Sequence, residues 1–252
     1  MVVCCIKFQS PASLRSHAET LQTQPPVKSI PVVILATVTL VMSGFVASLH
    51  AASIRFLCLN EELAARDLGV QDTKGTTKLK NLSALKRSDA HNCATGDSPL
   101  LLVAMDRKGA DGKSASVEIA LPAGLKAPLV LILPDPDHAS GLRALAVDDS
   151  ETGFPRGSLR FINITDQVLV IRYEQETQPL AASPAVVDVA LAGEARNMGV
   201  QLSKEDDPES VLYSAVWEYD PAVRKLVFVL PGNDPATAAV ELKVIPDQRP
   251  AK

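Results

Sequence analysis

A strand–turn–strand pattern occurs twice in this chain, and it constrains the fold more than any other feature of the sequence. The first copy spans Ala127–Asp149 and the second spans Arg224–Asp247. In each copy an apolar run, LVLILP or LVFVLP, is followed by a turn rich in Pro and Asp and by a returning run, LRALAVDD or VELKVIPD. Apolar runs joined in this way are typical of β-hairpins. The repeat therefore predicts architecture and carries little chemical information.

The composition favours many short strands over long helices. Apolar residues make up 46% of the 252 residues, whereas aromatic residues make up only 4%, so the core must be built from Leu, Val, Ile and Ala. The 18 prolines stand mostly in short motifs between apolar runs, where they interrupt regular structure.

Four strand-length runs follow one another in the first part of the chain, with connectors rich in Gly, Pro or Asp. They are Pro99–Asp106, Ala115–Leu121, Leu129–Leu133 and Leu142–Val147. This spacing predicts an antiparallel meander. The run LVLIL is apolar on both faces, which predicts a buried central strand.

Four later runs repeat this order: Met198–Lys204, Val211–Tyr219, Leu226–Leu230 and Val240–Ile245. We therefore predict an all-β, antiparallel fold of two sandwich-like halves related by an internal duplication. The halves are expected to cover residues 53–150 and 151–252 and to meet at Ser150–Gly157.

The N-terminal part predicts export. Ile30–Leu49 contains no charged residue, follows Lys28 and leads into small residues. These features are typical of a secretory signal cleaved after Ala51 or Ala52, with residues 1–52 forming a disordered leader and the signal. A run of this length could also remain as a membrane anchor. The chain is expected in the periplasm or outside the cell, or anchored by residues 30–49.

Two cysteines remain after the predicted cleavage, Cys58 and Cys93. An even number of cysteines in an oxidising compartment is compatible with a Cys58–Cys93 disulfide. The alternative is one thiol in the core and one in a loop.

The turn of the first hairpin holds the densest group of acids. Asp135 and Asp137 precede His138, and we take these three residues as candidate ligand-binding residues. A calcium ion would need six to eight oxygen ligands. Turn-forming Pro and Asp explain the segment without a metal, and the paired acids Asp148 and Asp149 are expected at the opposite end of the hairpin.

Trp217 and Tyr219 are the other candidate ligand-binding residues. They alternate with Val216 and Glu218, so they share one face of a strand. On an exposed face they would form a stacking platform for a sugar. On a buried face Trp217 would anchor the core.

The sequence shows no catalytic constellation. After cleavage the only histidines are His91 and His138, and no Ser stands in a nucleophile-elbow context. No cluster of Lys and Arg tracks phosphates, so nucleic acid is not an expected partner. No cofactor is expected. An unknown protein or a glycan is the expected partner, with membrane contact only through the N-terminal segment if it stays uncleaved.

The segment FPRGSLRFINIT (Phe154–Thr165), which follows LILPDPD and the Asp148–Asp149 pair, resembles uncharacterised exported bacterial β-sandwich proteins. The resemblance covers about residues 53–250. It implies export and an all-β fold, and it brings no catalytic residues.

These observations predict a non-enzymatic exported module with a binding or scaffolding role in the cell envelope or outside the cell. Two alternatives stay open: a carbohydrate-binding module or accessory domain of a secreted enzyme, and a structural subunit of an envelope assembly.

Overall fold

The computed structural model describes residues 50–95, 98–234 and 238–248, which form sixteen strands and one short helix. The predicted leader, with its apolar segment Ile30–Leu49, lies outside the described residues. Within the described part of the chain, no helix has the length and the apolar character needed to cross a membrane.

The first half contains eight strands and the helix. These are β1 (His50–Cys58), α1 (Glu61–Ala64), β2 (Leu68–Asp72), β3 (Gly75–Lys78), β4 (His91–Thr95), β5 (Leu100–Lys108), β6 (Ser114–Ile119), β7 (Pro128–Pro134) and β8 (Leu142–Asp148). Asn60 begins the helix, because its side-chain oxygen accepts a hydrogen bond of 2.9 Å from the Leu63 N–H.

The second half contains eight further strands. These are β9 (Ser158–Asn163), β10 (Leu169–Tyr173), β11 (Glu176–Leu180), β12 (Ala185–Ala190), β13 (Arg196–Lys204), β14 (Val211–Tyr219), β15 (Val223–Asp234) and β16 (Ala238–Gln248).

Each half forms two four-stranded sheets. We call the sheets β4-β1-β7-β8 and β12-β9-β15-β16 the inner sheets, and the sheets β3-β2-β5-β6 and β11-β10-β13-β14 the outer sheets. Each strand of the first half has a counterpart eight strands later, in the same place of the corresponding sheet. The prediction of an all-β fold with two similar halves is confirmed.

The predicted meander is wrong in its connections. β5 pairs with β6 and β7 pairs with β8, both antiparallel, but β6 belongs to the outer sheet and β7 to the inner sheet. The two central strands of each inner sheet are parallel, β1 with β7 and β9 with β15, so the fold is not purely antiparallel. Apolar alternation shows which face of a strand is buried and cannot show which strand lies beside it.

The strand predicted to be buried on both faces is buried. All residues from Pro128 to Leu133 of β7 are buried, and β7 lies between β1 and β8. Its sequence is apolar throughout because both faces of this strand pack against other sheets.

Two core clusters explain how the sheets stack. Along β15, Leu226 and Phe228 belong to a cluster shared with the first half, whereas Val227 and Val229 belong to the core of the second half. Successive side chains of a strand point to opposite faces. The inner sheet of the second half therefore packs on its own outer sheet with one face and on the first half with the other.

Candidate functional site

The acidic turn that the sequence singles out is held by its own hydrogen bonds. Asp135 Oδ2 accepts from Arg143 Nε at 3.1 Å and from Nη2 at 2.9 Å, while Asp135 Oδ1 accepts from the Asp137 N–H at 3.3 Å. The His138 Nδ1 lies 2.7 Å from the buried Ser140 hydroxyl. Local pairing of this kind is what an Asp-rich turn provides.

The structure does not bring these acids together with Asp148 and Asp149. Pro134 pairs with Leu142 at the turn, whereas Pro128 pairs with Asp148 at the far end of the same hairpin, as the sequence predicts. Among the described residues, no three His, Cys, Asp or Glu side chains group closely enough to hold a metal ion.

Trp217 lies on the inward face of β14, partly buried at the edge of the second-half core. Its ring stacks on Phe161 with centroids 6.1 Å apart, and its N–H donates to the Tyr213 hydroxyl at 3.0 Å. A ring face of Trp217 and its indole N–H are therefore engaged in contacts within the protein, and these are the groups that would bind a sugar.

Tyr219 fills the end of the second half. Its side chain is buried, and the guanidinium of Arg196 lies over the ring at 4.7 Å. Arg196 also donates to the Ala192 carbonyl at 2.9 Å and to Glu174 Oε1 at 2.6 Å. We call this pair, Tyr219 with Arg196, the plug.

Cys58 and Cys93 are both free thiols and both buried, so the structure shows neither the possible disulfide nor the alternative of one thiol in a loop. Cys93 of β4 lies opposite Ala52 of β1. Ala52 precedes Cys58 by six residues on β1. At about 3.3 Å per residue this places the two cysteines roughly 20 Å apart along the strand direction, well beyond disulfide reach. Burial raises the pKa of each thiol to about 11, with a smaller contribution from a nearby carboxylate.

A buried group of charges joins the two halves, and the sequence did not predict it. We call it the junction cluster; its members are Asp149, Asp247, Arg87, Arg156 and Arg224. The Asp149 side chain is 1% exposed and receives two hydrogen bonds from Arg87, at 2.7 and 2.8 Å. Burial raises the pKa of Asp247, but the hydrogen bond from Arg224 and the positive charges of Arg87 and Arg156 outweigh it and leave the pKa below its usual value.

The connector between β8 and β9 is fixed by the same arginines. The Arg224 Nη1 donates to the carbonyls of Asp149 and Phe154 at 2.9 and 2.8 Å. Phe154 is fully buried, with Arg160 at 4.4 Å and Arg224 at 5.1 Å from its ring centroid. These contacts give the guanidinium groups hydrogen-bond and ring partners within the protein. The junction cluster therefore holds the connector in place.

Among the described residues, nothing closes the corresponding end of the first half. A groove of about 1070 Å³ lies there, bordered by Leu100, Ile119, Ala52, Pro128 and the connector residues 120–125. Leu121, Pro122 and Leu125 of that connector make the groove wall largely apolar.

The outer hairpins of the two halves differ at these ends in the part of the chain that the structure describes. In the first half the outer hairpin ends at the pair Leu100 and Ile119, and in the second half it ends at the pair Arg196 and Tyr219. Leu102 faces Val70 of β2, and Leu202 faces the corresponding Ile171 of β10, so Leu100 corresponds to Val200 and Ile119 to Ala215. The paired part of the second hairpin therefore continues four residue pairs further, to the plug. In addition, eight residues (120–127) join β6 to β7, whereas three (220–222) join β14 to β15.

No protein-family model matches the chain, and no curated protein matches it in sequence.

The described lining of the groove consists mostly of apolar and small side chains. Among its described lining residues, Glu118 is the one with an ionisable side chain, and neither a Cys nor a His borders it. General acid–base or nucleophilic catalysis needs a base placed beside a nucleophile or a substrate proton. Apolar side chains and proline rings instead favour the burial of an apolar ligand surface.

Proposed function

We propose that the protein is a non-enzymatic exported module that binds a partner through the groove at the end of its first half. The single observation that carries this proposal is the difference between the two ends. The second half closes its end with Tyr219 and Arg196, whereas the first half leaves an apolar groove beside Leu100 and Ile119.

The two halves can be compared directly, because they share one architecture. Features that both halves share, such as the sheet order and the two parallel central pairs, are what the fold requires. Within the described residues, Tyr219 and Arg196 occupy the end of the second half, whereas the groove of the first half exposes an apolar wall. Exposing that wall costs roughly 25 cal/mol for each Å² left in water. A ligand that covers this wall recovers that free energy.

We further propose that each half is a β-sandwich and that the halves arose by duplication. The matching order of eight strands supports this, as does a second sequence match, between SIRFLCL (Ser53–Leu59) and SLRFINI (Ser158–Ile164). The registers support it as well, because Arg55 pairs with Leu129 and Arg160 pairs with Leu226.

Dye binding tests the groove. Anilinonaphthalene sulfonate fluoresces when it enters an apolar site, and Ala123 is an exposed residue of the groove wall. Ala123→Arg should remove most of the dye fluorescence of the full chain. The matched control is Ala222→Arg, at an exposed position in the corresponding connector of the second half. Equal fluorescence from both variants would sink the proposal.

The proposal that the protein is exported rests on the predicted leader, residues 1–52, and needs a separate test. The proposal expects the exported form to begin at Ala52 or Ser53, shortly after the apolar segment Ile30–Leu49, which places the new N-terminus beside the groove that Ala52 borders. N-terminal sequencing of the protein recovered outside the cytoplasm measures this. A chain that keeps Ile30–Leu49 would support the anchored alternative.

The glycan alternative is the weaker one. Trp217 is stacked on Phe161 and hydrogen-bonded to Tyr213, so the platform that this alternative needs is engaged within the protein.

A further inference from the structure

We infer that the outer sheet of the second half carries a second binding site, for a small organic carboxylate, centred on Arg172 of β10. The site is a depression of about 500 Å³ on the outward face of that sheet, and its lining includes Arg172, Gly199, Gln201, Ser214 and Val216. This depression and the groove of the first half have no described lining residue in common, so each can be tested without the other.

The strand register places three polar side chains in one line across the sheet. Arg172 of β10 pairs with Gln201 of β13, which pairs in turn with Ser214 of β14. Val200 and Leu202 of β13 belong to the core of the second half, so Gln201 and its two partners point outward. The Gln201 Nε2 lies 3.4 Å from the Ser214 Oγ. A guanidinium, an amide and a hydroxyl group therefore lie beside one another on the exposed face.

Gly199 leaves the floor of the depression open. It lies on the same face as Gln201, and a Cβ added to it would meet no atom within 4 Å beyond its chain neighbours. A glycine inside a strand marks a bulge or a place where a ligand approaches the backbone closely. Gly199 pairs regularly with Val216. The irregularity of β13 lies further on, between Leu202 and Ser203. A bulge therefore does not explain this glycine, whereas an approaching ligand does.

Arg172 supplies a positive charge that the described part of the chain does not neutralise. Its side chain is exposed, and its guanidinium forms neither an ion pair nor a hydrogen bond with another described residue. Glu174 also borders the depression, but its Oε1 accepts a hydrogen bond of 2.6 Å from Arg196 Nε, which balances its charge. The net charge offered to a ligand is therefore that of Arg172.

A carboxylate is the ligand group that matches this charge. A guanidinium binds a carboxylate through two parallel hydrogen bonds. One free guanidinium balances the single charge of a carboxylate, whereas a phosphate group carries about 1.5 to 2 negative charges at neutral pH.

The neighbours of Arg172 define the rest of the ligand. The side chain of Val216 is 72% exposed, the largest value among the exposed large apolar residues of the described chain, and a ligand that covers it removes apolar surface from water. The Gln201 amide and the Ser214 hydroxyl offer hydrogen bonds to hydroxyl groups. An aliphatic acid and an acidic sugar both use these contacts, and both present the same carboxylate to Arg172.

The first half lacks this site, although it has the same sheet. Leu102 and Leu202 hold corresponding positions, because they face Val70 and Ile171 on the neighbouring strands. By this register the first-half counterparts of Arg172, Gln201, Ser214 and Gly199 are, in that order, Gln71, Leu101, Glu118 and Pro99. The counterparts carry no positive charge and include a carboxylate. The fold itself therefore does not require the polar line of the second half.

Titration of the full chain with isovalerate, followed by NMR at constant ionic strength, tests the site. Isovaleramide has the same shape without the charge and should bind at least about tenfold more weakly, because it cannot form charge-assisted hydrogen bonds with Arg172. The backbone N–H signals of Gly199 and Gln201 should shift most. Glucuronate and glucose form a second pair of probes. Tighter binding of glucuronate than of isovalerate assigns the carboxylate to an acidic sugar, and the reverse order assigns it to an aliphatic acid.

Three variants place the site, each tested with the tighter of the two carboxylates. Arg172→Gln introduces the residue found in the first half and should weaken binding at least about tenfold. Gly199→Val should abolish binding and keep the melting temperature, because its side chain enters open space and valine suits a strand. Gln71→Arg is the matched control and should change neither affinity nor stoichiometry, since Leu101 and Glu118 flank the new charge.

Equal affinities for a carboxylate and its uncharged counterpart, tighter binding of inorganic phosphate, or no binding at all would overturn the inference. Parental affinity in the folded Gly199→Val variant would overturn it as well. The dye experiment at Ala123 is separate, so failure of the carboxylate site leaves the proposed groove standing.

Discussion

Arg224 joins two corresponding aspartates, one from each half of the protein. Its Nη2 lies 2.8 Å from Asp247 Oδ2 and 3.3 Å from Asp149 Oδ1. Each aspartate ends the returning run of one copy of the repeated hairpin. Two residues at matching positions in the sequence repeat therefore contact the same guanidinium group. The Arg224 side chain is 5% exposed, and the charges it holds are largely shielded from water.

Arg224→Met should therefore destabilise the protein strongly. The substitution takes one of the arginine partners from each of the two aspartates and the donor from the carbonyls of Asp149 and Phe154. Breaking a buried ion pair in this way typically costs about 3–5 kcal/mol of unfolding free energy. Urea unfolding measures the change. Arg143→Met is the control, because its ion pair with Asp135 is exposed on the arginine side and should contribute about 1 kcal/mol or less. Similar losses in both variants would contradict a special role for the junction cluster.

The lowered pKa of Asp247 predicts loss of stability in acid. A carboxyl group whose pKa is depressed in the folded state adds stability above its unfolded pKa of about 3.9, and this stability disappears as the pH falls through the folded value. The unfolding free energy should decline below about pH 5 less steeply in Asp247→Asn than in the parent. Asp137→Asn, at an exposed turn position, should keep the parental slope; an identical slope for Asp247→Asn would refute the prediction.

The local pattern of the sequence was sufficient to predict the two similar halves and eight of the sixteen described strands. The runs around Leu129 and Leu226 are apolar on both faces, and the structure places them at the centre of the inner sheets. The parallel partners of these strands could not be predicted, since β1 and β7 lie far apart in the chain and alternation carries no information about pairing.

The functional features were harder to predict, although some signals were present. The match between Ser53–Leu59 and Ser158–Ile164 would have shown that the repeat includes the first strand of each half. The groove had no comparable signal, because the connector lengths of 120–127 and 220–222 depend on where the strands end in the structure. The junction cluster has no local signal, because its arginines come from separate parts of the chain and converge only in the folded protein.

The two buried cysteines are predicted to be inert in the folded protein. Burial raises the pKa of Cys58 and Cys93 to about 11, so both thiols stay protonated at pH 8, and the thiolate is the reactive form. Mass spectrometry after iodoacetamide treatment at pH 8 should find both residues unmodified in the native protein and alkylated in urea. Resistance to alkylation in urea without a reductant would show a disulfide instead.

Phe154→Ala should separate the role of the connector from that of the groove. The ring is fully buried between two arginines, and truncating a buried Phe typically costs about 3–5 kcal/mol. Urea unfolding should show this loss, while Val216→Ala, at a side chain that is 72% exposed, should change stability by less than about 0.5 kcal/mol.

Phe154 belongs to the core shared by both halves and does not border the groove, so the folded variant should keep its dye binding. A stable variant that had lost dye binding would instead link the connector to the groove.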